Sequence, residues 1–374
     1  MNNKKLKIIT IVGTRPEIIR LSSIIKVLDK NFSHILINTN QNFDINLNQI
    51  FFSQLGLKKP NYNLKCKTSS TAIFLSDLFA KIDKILIKEK PDAILVLGDT
   101  NSSLSTIVAK KRKIPIFHIE AGNRCFDQRV PEEINRKIVD HISDINLTYS
   151  DYASQNLILE GIPKDRIIKI GSPLLEVLNT NQKQINKSQV LKKLNLEKNK
   201  YILASIHRDE NIEDPEILNE ILESILYLEK KYKIPVVFST HPRTKKKINN
   251  NIKKYSKNII FHKPFGYFEF IYLMKNAKFI LSDSGSISEE TSILSLPSVN
   301  LRNANERQES MERGTVIMSG TKRNDIINAV NILLKNDSKI IIHPDYNNSC
   351  ISLNVIKIIQ SYTHYIINKT WHKK

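Results

Sequence analysis

The chain has 374 residues, enough for two buried cores, and its 41% apolar and 25% charged residues describe a globular protein without an apolar run long enough to cross a bilayer. Its 57 Lys and Arg against 37 Asp and Glu leave +20, which favours acidic small partners such as nucleotides and phosphates. The lysines are scattered without interleaved aromatics, so no nucleic-acid partner is expected; Cys66, Cys125 and Cys350 lie far apart, which excludes a disulfide framework and points to a reducing cytoplasm.

Residues 7–12 read as a first strand, and GTRPEIIRLSSIIKVL follows as a turn and helix. Gly13 permits a tight turn, Thr14 can cap, and Pro16 suits the first helical turn. Arg15 is placed either to meet an anion above a sheet or to complete a structural cap. Neither dinucleotide-binding glycines nor a P-loop accompanies Gly13. A short strand over 35–37 precedes the polar segment NTNQN, and helices are expected over 47–55 and 71–88. Residues 93–97 form a buried-strand candidate ending in a turn over 98–101, with Ser102 and Ser103 opening the next helix. Asp99 thus stands at a strand's carboxyl edge, where it either orients a base or substrate hydroxyl, or caps the turn.

An apolar run over 114–119 leads into HIEAGNRCFDQRVPEEINRKIVDH, residues 118–141. Pro131 suits the first turn of a helix, the acidic pair Glu132 and Glu133 suits its positive end, and Glu132 shares a face with Arg136. The stretch is either a salt-bridged surface helix or a site, and its place just after a strand favours the site. Cys125 within it is either a nucleophile or an incidental small residue. Strand candidates at 145–148 and 167–170 flank a helix over 149–160, and a polar, lysine-rich linker is expected over 179–200.

A second α/β series then opens with residues 201–206, ending in His207 and Arg208; His207 can supply a proton or meet an anionic leaving group. Further strands are expected at 235–239, 259–261 and 279–281. In SDSGSISEE, Ser284, Gly285 and Ser286 offer donors at a helix start suited to phosphate, and a carboxylate further along can accept bonds from ribose hydroxyls; ordinary helix caps look the same. Arg302, Asn305, Glu306 and Arg307 extend a polar loop, and segments 326–334 and 351–365 are amphipathic. Alternating short strands and longer helices predict parallel sheets covered on both faces, hence an α/β fold. No metal-ligand spacing and no GxSxG are present, so neither a metal site nor a serine hydrolase is expected.

Taken together, GTRPE at 13–17, GDT at 98–100, HIEAG at 118–122, PEEINR at 131–136, HRDEN at 207–211 and DSGSISEE at 283–290 resemble the non-hydrolysing UDP-N-acetylglucosamine 2-epimerase family over nearly the whole chain. Within it, residues 118–141 are most similar to the branch that makes UDP-N-acetyl-L-fucosamine from UDP-2-acetamido-2,6-dideoxy-L-talose. The resemblance implies two Rossmann-like domains facing a central cleft in the GT-B manner: 1–178 carrying the acid/base carboxylates, 201–355 binding UDP, and a helix over 356–374 returning to the first domain. It implies a cytoplasmic homodimer, a UDP-activated amino sugar as partner, no membrane insertion, no cofactor, and supply of a surface polysaccharide.

By the same resemblance, Asp99, Glu120 and Glu132 match acid/base carboxylates and His207 a group near the departing diphosphate. Arg15, Arg20, Ser284, Gly285 and Ser286 match the phosphate side; Arg136 matches an arginine that holds a carboxylate or contacts pyrophosphate, and Glu290 a ribose-binding carboxylate. Arg20 stands where lysine is common, and Ser286 and Ser288 replace glycine and glutamine. Asn42 stands where an activator-binding histidine is expected, which speaks against that regulation. Asn123, Arg124, Cys125, Phe126, Asp127 and Arg129 are the expected determinants of a 6-deoxy-L-sugar. The competing readings are a UDP-N-acetylglucosamine 2-epimerase forming the manno epimer and a nucleotide-sugar glycosyltransferase on the same scaffold.

Overall fold

The computed structural model describes residues 5–41, 51–248, 257–335 and 341–372. Asn42 and residues 47–50 of the helix expected over 47–55 lie outside them. The chain folds as two compact units, one of residues 1–180 with 345–374, the other of residues 181–344.

The first unit is built on β1 (Lys7–Val12), β2 (Ser33–Asn38), β3 (Tyr62–Asn63), β4 (Ala93–Leu97), β5 (Ile116–Ala121), β6 (Ile145–Thr148) and β7 (Ile167–Lys169). They form one sheet in the order β3-β2-β1-β4-β5-β6-β7, parallel at every pairing. Helices cover both faces, so its central strands are continuous apolar runs: AILVL of β4 is buried at every position. Helix Arg15–Asn31 buries Ile18, Leu21, Ile24, Ile25 and Leu28, a stripe of helical spacing. The C-terminal helix Ile351–Trp371 packs on it through a matching stripe of Ile351, Val355, Ile359 and Ile366.

The second unit contains β8 (Ile202–Ser205), β9 (Val236–Ser239), β10 (Ile259–His262), β11 (Phe279–Ser282), β12 (Ser298–Asn300) and β13 (Ile317–Met318), parallel in the order β10-β9-β8-β11-β12-β13. The segment expected as a linker, 179–200, instead contains helices Gln182–Asn186 and Val190–Lys193, which pack on helix Tyr267–Asn276 of this unit. Among the described residues, no helix is long and apolar enough to cross a membrane.

Both sheets are doubly wound, as the sequence predicts. From β1 the chain steps outward to β2 and β3, then returns to the other side of β1 for β4 to β7; from β8 it does the same with β9 and β10, then β11 to β13. The loops leaving β1 and β4, and those leaving β8 and β11, therefore diverge at the two places where the winding reverses. Such reversals are where open parallel sheets bind ligands.

Candidate active site

At the first reversal, GTRPE leaves β1 and GDT leaves β4. Gly13 is required by a close approach: a Cβ there would lie 2.0 Å from Ser102 Oγ and 2.4 Å from Thr39 Oγ1. Those hydroxyls are 2.7 Å apart, and Gln41 Oε1 accepts from the Ser102 hydroxyl at 2.8 Å and its N–H at 3.0 Å, so the ends of β1, β2 and β4 are tied together. Glu17, 2% exposed, accepts the N–H groups of Gly13 and Thr14 at 2.6 Å each and the Thr100 hydroxyl at 2.6 Å, linking GTRPE to GDT. Burial pushes its carboxyl up to about 7 against the pull of those donors. Arg15 is half-buried, its guanidinium 5.7 Å from the Phe51 ring centroid.

Glu120 occupies the end of β5. It has φ of 66°, a conformation that non-glycine residues avoid, and the pairing of β5 with β6 slips register between Ile119 and Ala121 around it. The bulge turns Glu120 out of the pleat, where its Oε2 lies 3.6 Å from Arg20 Nε. Strain of this kind costs about 1 kcal/mol and concentrates at functional positions.

Asp99, one residue past Gly98 in the turn after β4, is held by helix Pro131–Ile142. Arg136 donates to its Oδ2 through Nε at 3.0 Å and also through Nη2, while Asn135 Nδ2 donates to its carbonyl at 2.9 Å. Arg136 thus holds two carboxylates at once, since its Nη1 donates to Glu133 at 2.6 Å. The acidic pair divides: Glu132 is half-buried, whereas Glu133 is 1% exposed.

Loop 123–129 is anchored from beneath. Arg124 is wholly buried, donating to Glu160 at 2.8 and 2.6 Å and to Asp140 at 2.7 Å. Asp140 also lies 2.8 Å from His118 Nδ1, and His118 Nε2 bonds the Gly98 carbonyl at 2.9 Å. Burial pushes the Asp140 carboxyl up, but His118 and Arg124 outweigh it and hold it below the usual carboxylate range. Arg124, one of the expected sugar determinants, is buried and anchors the loop, and Asn123 is buried beside it. Burial pushes the Cys125 thiol up, and its Sγ donates to Glu133 at 3.3 Å, which favours the incidental small residue over the nucleophile. Phe126, at φ of 55°, is 68% exposed, and Asp127 accepts from the exposed Arg129 at 2.9 and 2.7 Å.

At the second reversal, Asp283 is fully buried and its carboxylate gathers the loop after β8: the N–H of His207 at 3.0 Å, that of Arg208 at 2.9 Å and Asn211 Nδ2 at 3.1 Å. The His207 ring is turned outward, 42% exposed, with Nδ1 3.2 Å from Asp283. Ser284, Gly285 and Ser286 are half-buried ahead of helix Ile287–Leu294, the two hydroxyls 3.0 Å apart. Glu290 is half-buried one turn into that helix. Glu306 lies over Gly285, where an added Cβ would come within 2.2 Å of its Oε1, and is bound by Arg302 at 2.7 Å; buried Glu289 pairs with Arg307 at 3.2 Å. Asp283 and Glu289 lie inside the DSGSISEE motif without having been singled out. Their distinguishing signal, complete burial, emerges only on folding. Among the described residues, no three His, Cys, Asp or Glu side chains are grouped to hold a metal ion.

Comparison with known proteins agrees with this arrangement. The family described as UDP-N-acetylglucosamine 2-epimerase matches residues 26–360. The UDP-N-acetylglucosamine 2-epimerase of Methanocaldococcus jannaschii is 39% identical over 338 residues, 88% of this chain and 92% of that one. The UDP-2,3-diacetamido-2,3-dideoxy-D-glucuronate 2-epimerase of Pseudomonas aeruginosa is 34% identical over 86% of this chain and 90% of its own. The structure of UDP-N-acetylglucosamine 2-epimerase from Rickettsia bellii, 46% identical, matches with a TM-score of 0.91 over 99% of this chain and 100% of that one. With acid side chains at the ends of β4 and β5 and a serine-flanked loop-to-helix turn after β11, the chain belongs to the UDP-N-acetylglucosamine 2-epimerase family and is a nucleotide-sugar 2-epimerase.

Proposed function

We propose that the protein interconverts UDP-N-acetyl-D-glucosamine and its manno epimer at C2. A carboxylate of the first unit takes the C2 proton, the C1–O bond breaks with its electron pair leaving on UDP, and a C1=C2 double bond forms. UDP oxygen then adds back to C1 as a second acid delivers a proton to the opposite face of C2. Two proton-transfer groups are needed, and Asp99, Glu120 and Glu132 supply them. The carrying observation is the placement of Asp99 and Glu120 just beyond the paired ends of β4 and β5, each beside an arginine, Arg136 and Arg20. Arg15, His207, Ser284, Gly285 and Ser286 are assigned to the diphosphate and Glu290 to the ribose. The relatives named for UDP-N-acetylglucosamine support the D-gluco sugar.

A second reading takes UDP-2-acetamido-2,6-dideoxy-L-talose to UDP-N-acetyl-L-fucosamine. It is favoured by loop 123–129, which presents the Phe126 ring 68% exposed on a firmly anchored base, a surface suited to a 6-methyl group. A relative at 34% identity is named for a diacetamido glucuronate, so similarity at this level does not fix the sugar.

Purified protein incubated separately with the D-gluco, L-talo and L-fuco UDP sugars in deuterated water distinguishes the readings. Deuterium entering C2 of the D-gluco and manno pair supports the first. Turnover confined to the L-sugars selects the second, free sugar plus UDP selects hydrolysis, and epimerisation without deuterium at C2 rejects proton transfer.

A further inference from the structure

We propose that Glu133 is a positioning residue for the epimerisation, coupling the loop at 123–129 to Asp99 through Arg136. The proposal rests on the C2 reading above. Glu133 is 1% exposed, shut away from solvent. Its carboxylate instead faces two ways. Toward the loop, it accepts the N–H of Cys125 at 3.2 Å, the N–H of Phe126 at 3.1 Å and Cys125 Sγ at 3.3 Å. Toward the strand ends, it accepts Arg136 Nη1 at 2.6 Å.

Arg136 is the pivot. A guanidinium is a rigid planar fork, so two carboxylates on different edges fix its plane and tilt. Glu133 takes Nη1, while Asp99 takes Nε and Nη2, which leaves the Asp99 carboxylate oriented by an arginine that Glu133 itself orients. Burial works against the charge on Glu133, but the two loop amides and Arg136 hold its carboxyl below the ordinary range, so it is a standing anion in this place. Without it, Arg136 can swing about Asp99, and the backbone that carries Phe126 loses its acceptor. One buried carboxylate thereby sets both the angle of a proton-transfer group and the path of the loop nearest the sugar-selecting positions. The adjacent Glu132 is half-buried.

The test uses the full chain and whichever UDP sugar the wild type epimerises. Glu133→Gln keeps the shape and removes the charge, and Arg136→Lys keeps a cation that cannot span both carboxylates. For Glu133→Gln, kcat is expected to fall about 10- to 100-fold, the effect of a small misplacement of a reacting group, with KM and the Kd for UDP within about threefold of wild type. Because Glu133 acts through Arg136, the double variant should be no slower than Arg136→Lys alone. Multiplying losses in the double variant would overturn the proposal, as would a kcat for Glu133→Gln within about threefold of wild type. So would parallel loss of kcat and UDP binding, which marks a residue that only supports the fold. Glu133→Asp is carried alongside because it retains the buried charge, and if Glu133→Gln does not fold, the same criteria are applied to it. Wild-type protein that places no deuterium at C2 of any UDP sugar sinks the C2 reading instead, a result obtained before any variant is made.

Discussion

Glu17 makes a measurable claim about pH. Its carboxyl, ordinarily near 4.5, is pushed up to about 7 by complete burial, despite donors from Gly13, Thr14 and Thr100. A raised acid means that the folded state holds a proton the unfolded chain has released. The favourable state is then fully present below pH 4.5, is lost as pH rises through about 7, and is constant above. The rise corresponds to about 3 kcal/mol in all, most of which falls between pH 5 and 8. Glu17→Gln removes the titration while keeping the contacts: its oxygen can take the two amide N–H groups, and its NH₂ can donate to a Thr100 hydroxyl that rotates to accept. Urea unfolding of both proteins across pH 5 to 8 should show the variant gaining on the wild type by about 2–3 kcal/mol as pH rises. A stability difference that stays flat across that window refutes the assignment, and one that falls with pH reverses its sign.

Glu120→Gln should reduce kcat by about 10²- to 10⁴-fold with an unchanged melting temperature, read by epimerisation and circular dichroism, because its charge serves chemistry rather than packing. Arg124→Met should leave the sugar preference alone and cost about 3–5 kcal/mol, since it strands the buried Asp140 carboxylate; a stable variant with altered preference would return Arg124 to the specificity set. Gly13→Ala should cost about 1–3 kcal/mol in thermal or urea unfolding, because its methyl group must displace the bonded Ser102 and Thr39 hydroxyls.

The parallel sheets were legible because their central strands, such as AILVL of β4, are apolar at every position. β3, β12 and β13 escaped notice because elements of two or three residues carry no periodicity; pairing with an existing edge creates them. The strand-end motifs coincide with the two winding reversals but did not rank the residues inside them. In PEEINR, Glu132 and Glu133 are indistinguishable as letters, and only the turn of the helix sends one toward the surface and the other under the loop. Arg124 looked like a sugar contact because its partners lie far along the chain, Asp140 on one helix and Glu160 at the end of the next. The unit boundary at 180/181 falls inside the stretch expected as a linker, but the helices within that stretch escaped notice. A run rich in lysine reads as solvent-facing throughout, yet Ile185 on one short helix and Val190 and Leu191 on the next are buried within the second unit.

The pairs at the two winding reversals differ in which charge is buried. In the first unit Arg20 at 7% and Arg136 at 5% side-chain exposure lie beneath Glu120 at 14% and Asp99 at 25%. In the second unit Asp283 lies beneath at 0% with Arg208 at 19% and His207 at 42% further out, while Arg302 at 2% lies beneath Glu306 at 10%, as in the first unit. A buried partner is the member of each pair that water cannot reach, so it fixes the outer one, and the outer one is the member a ligand can approach. Outer carboxylates suit proton transfer at carbon, and an outer histidine and arginine suit a diphosphate whose negative charge grows as the C1–O bond breaks. Exchanging the order of burial within a pair would leave the net charge unchanged, so composition alone does not show which member faces outward.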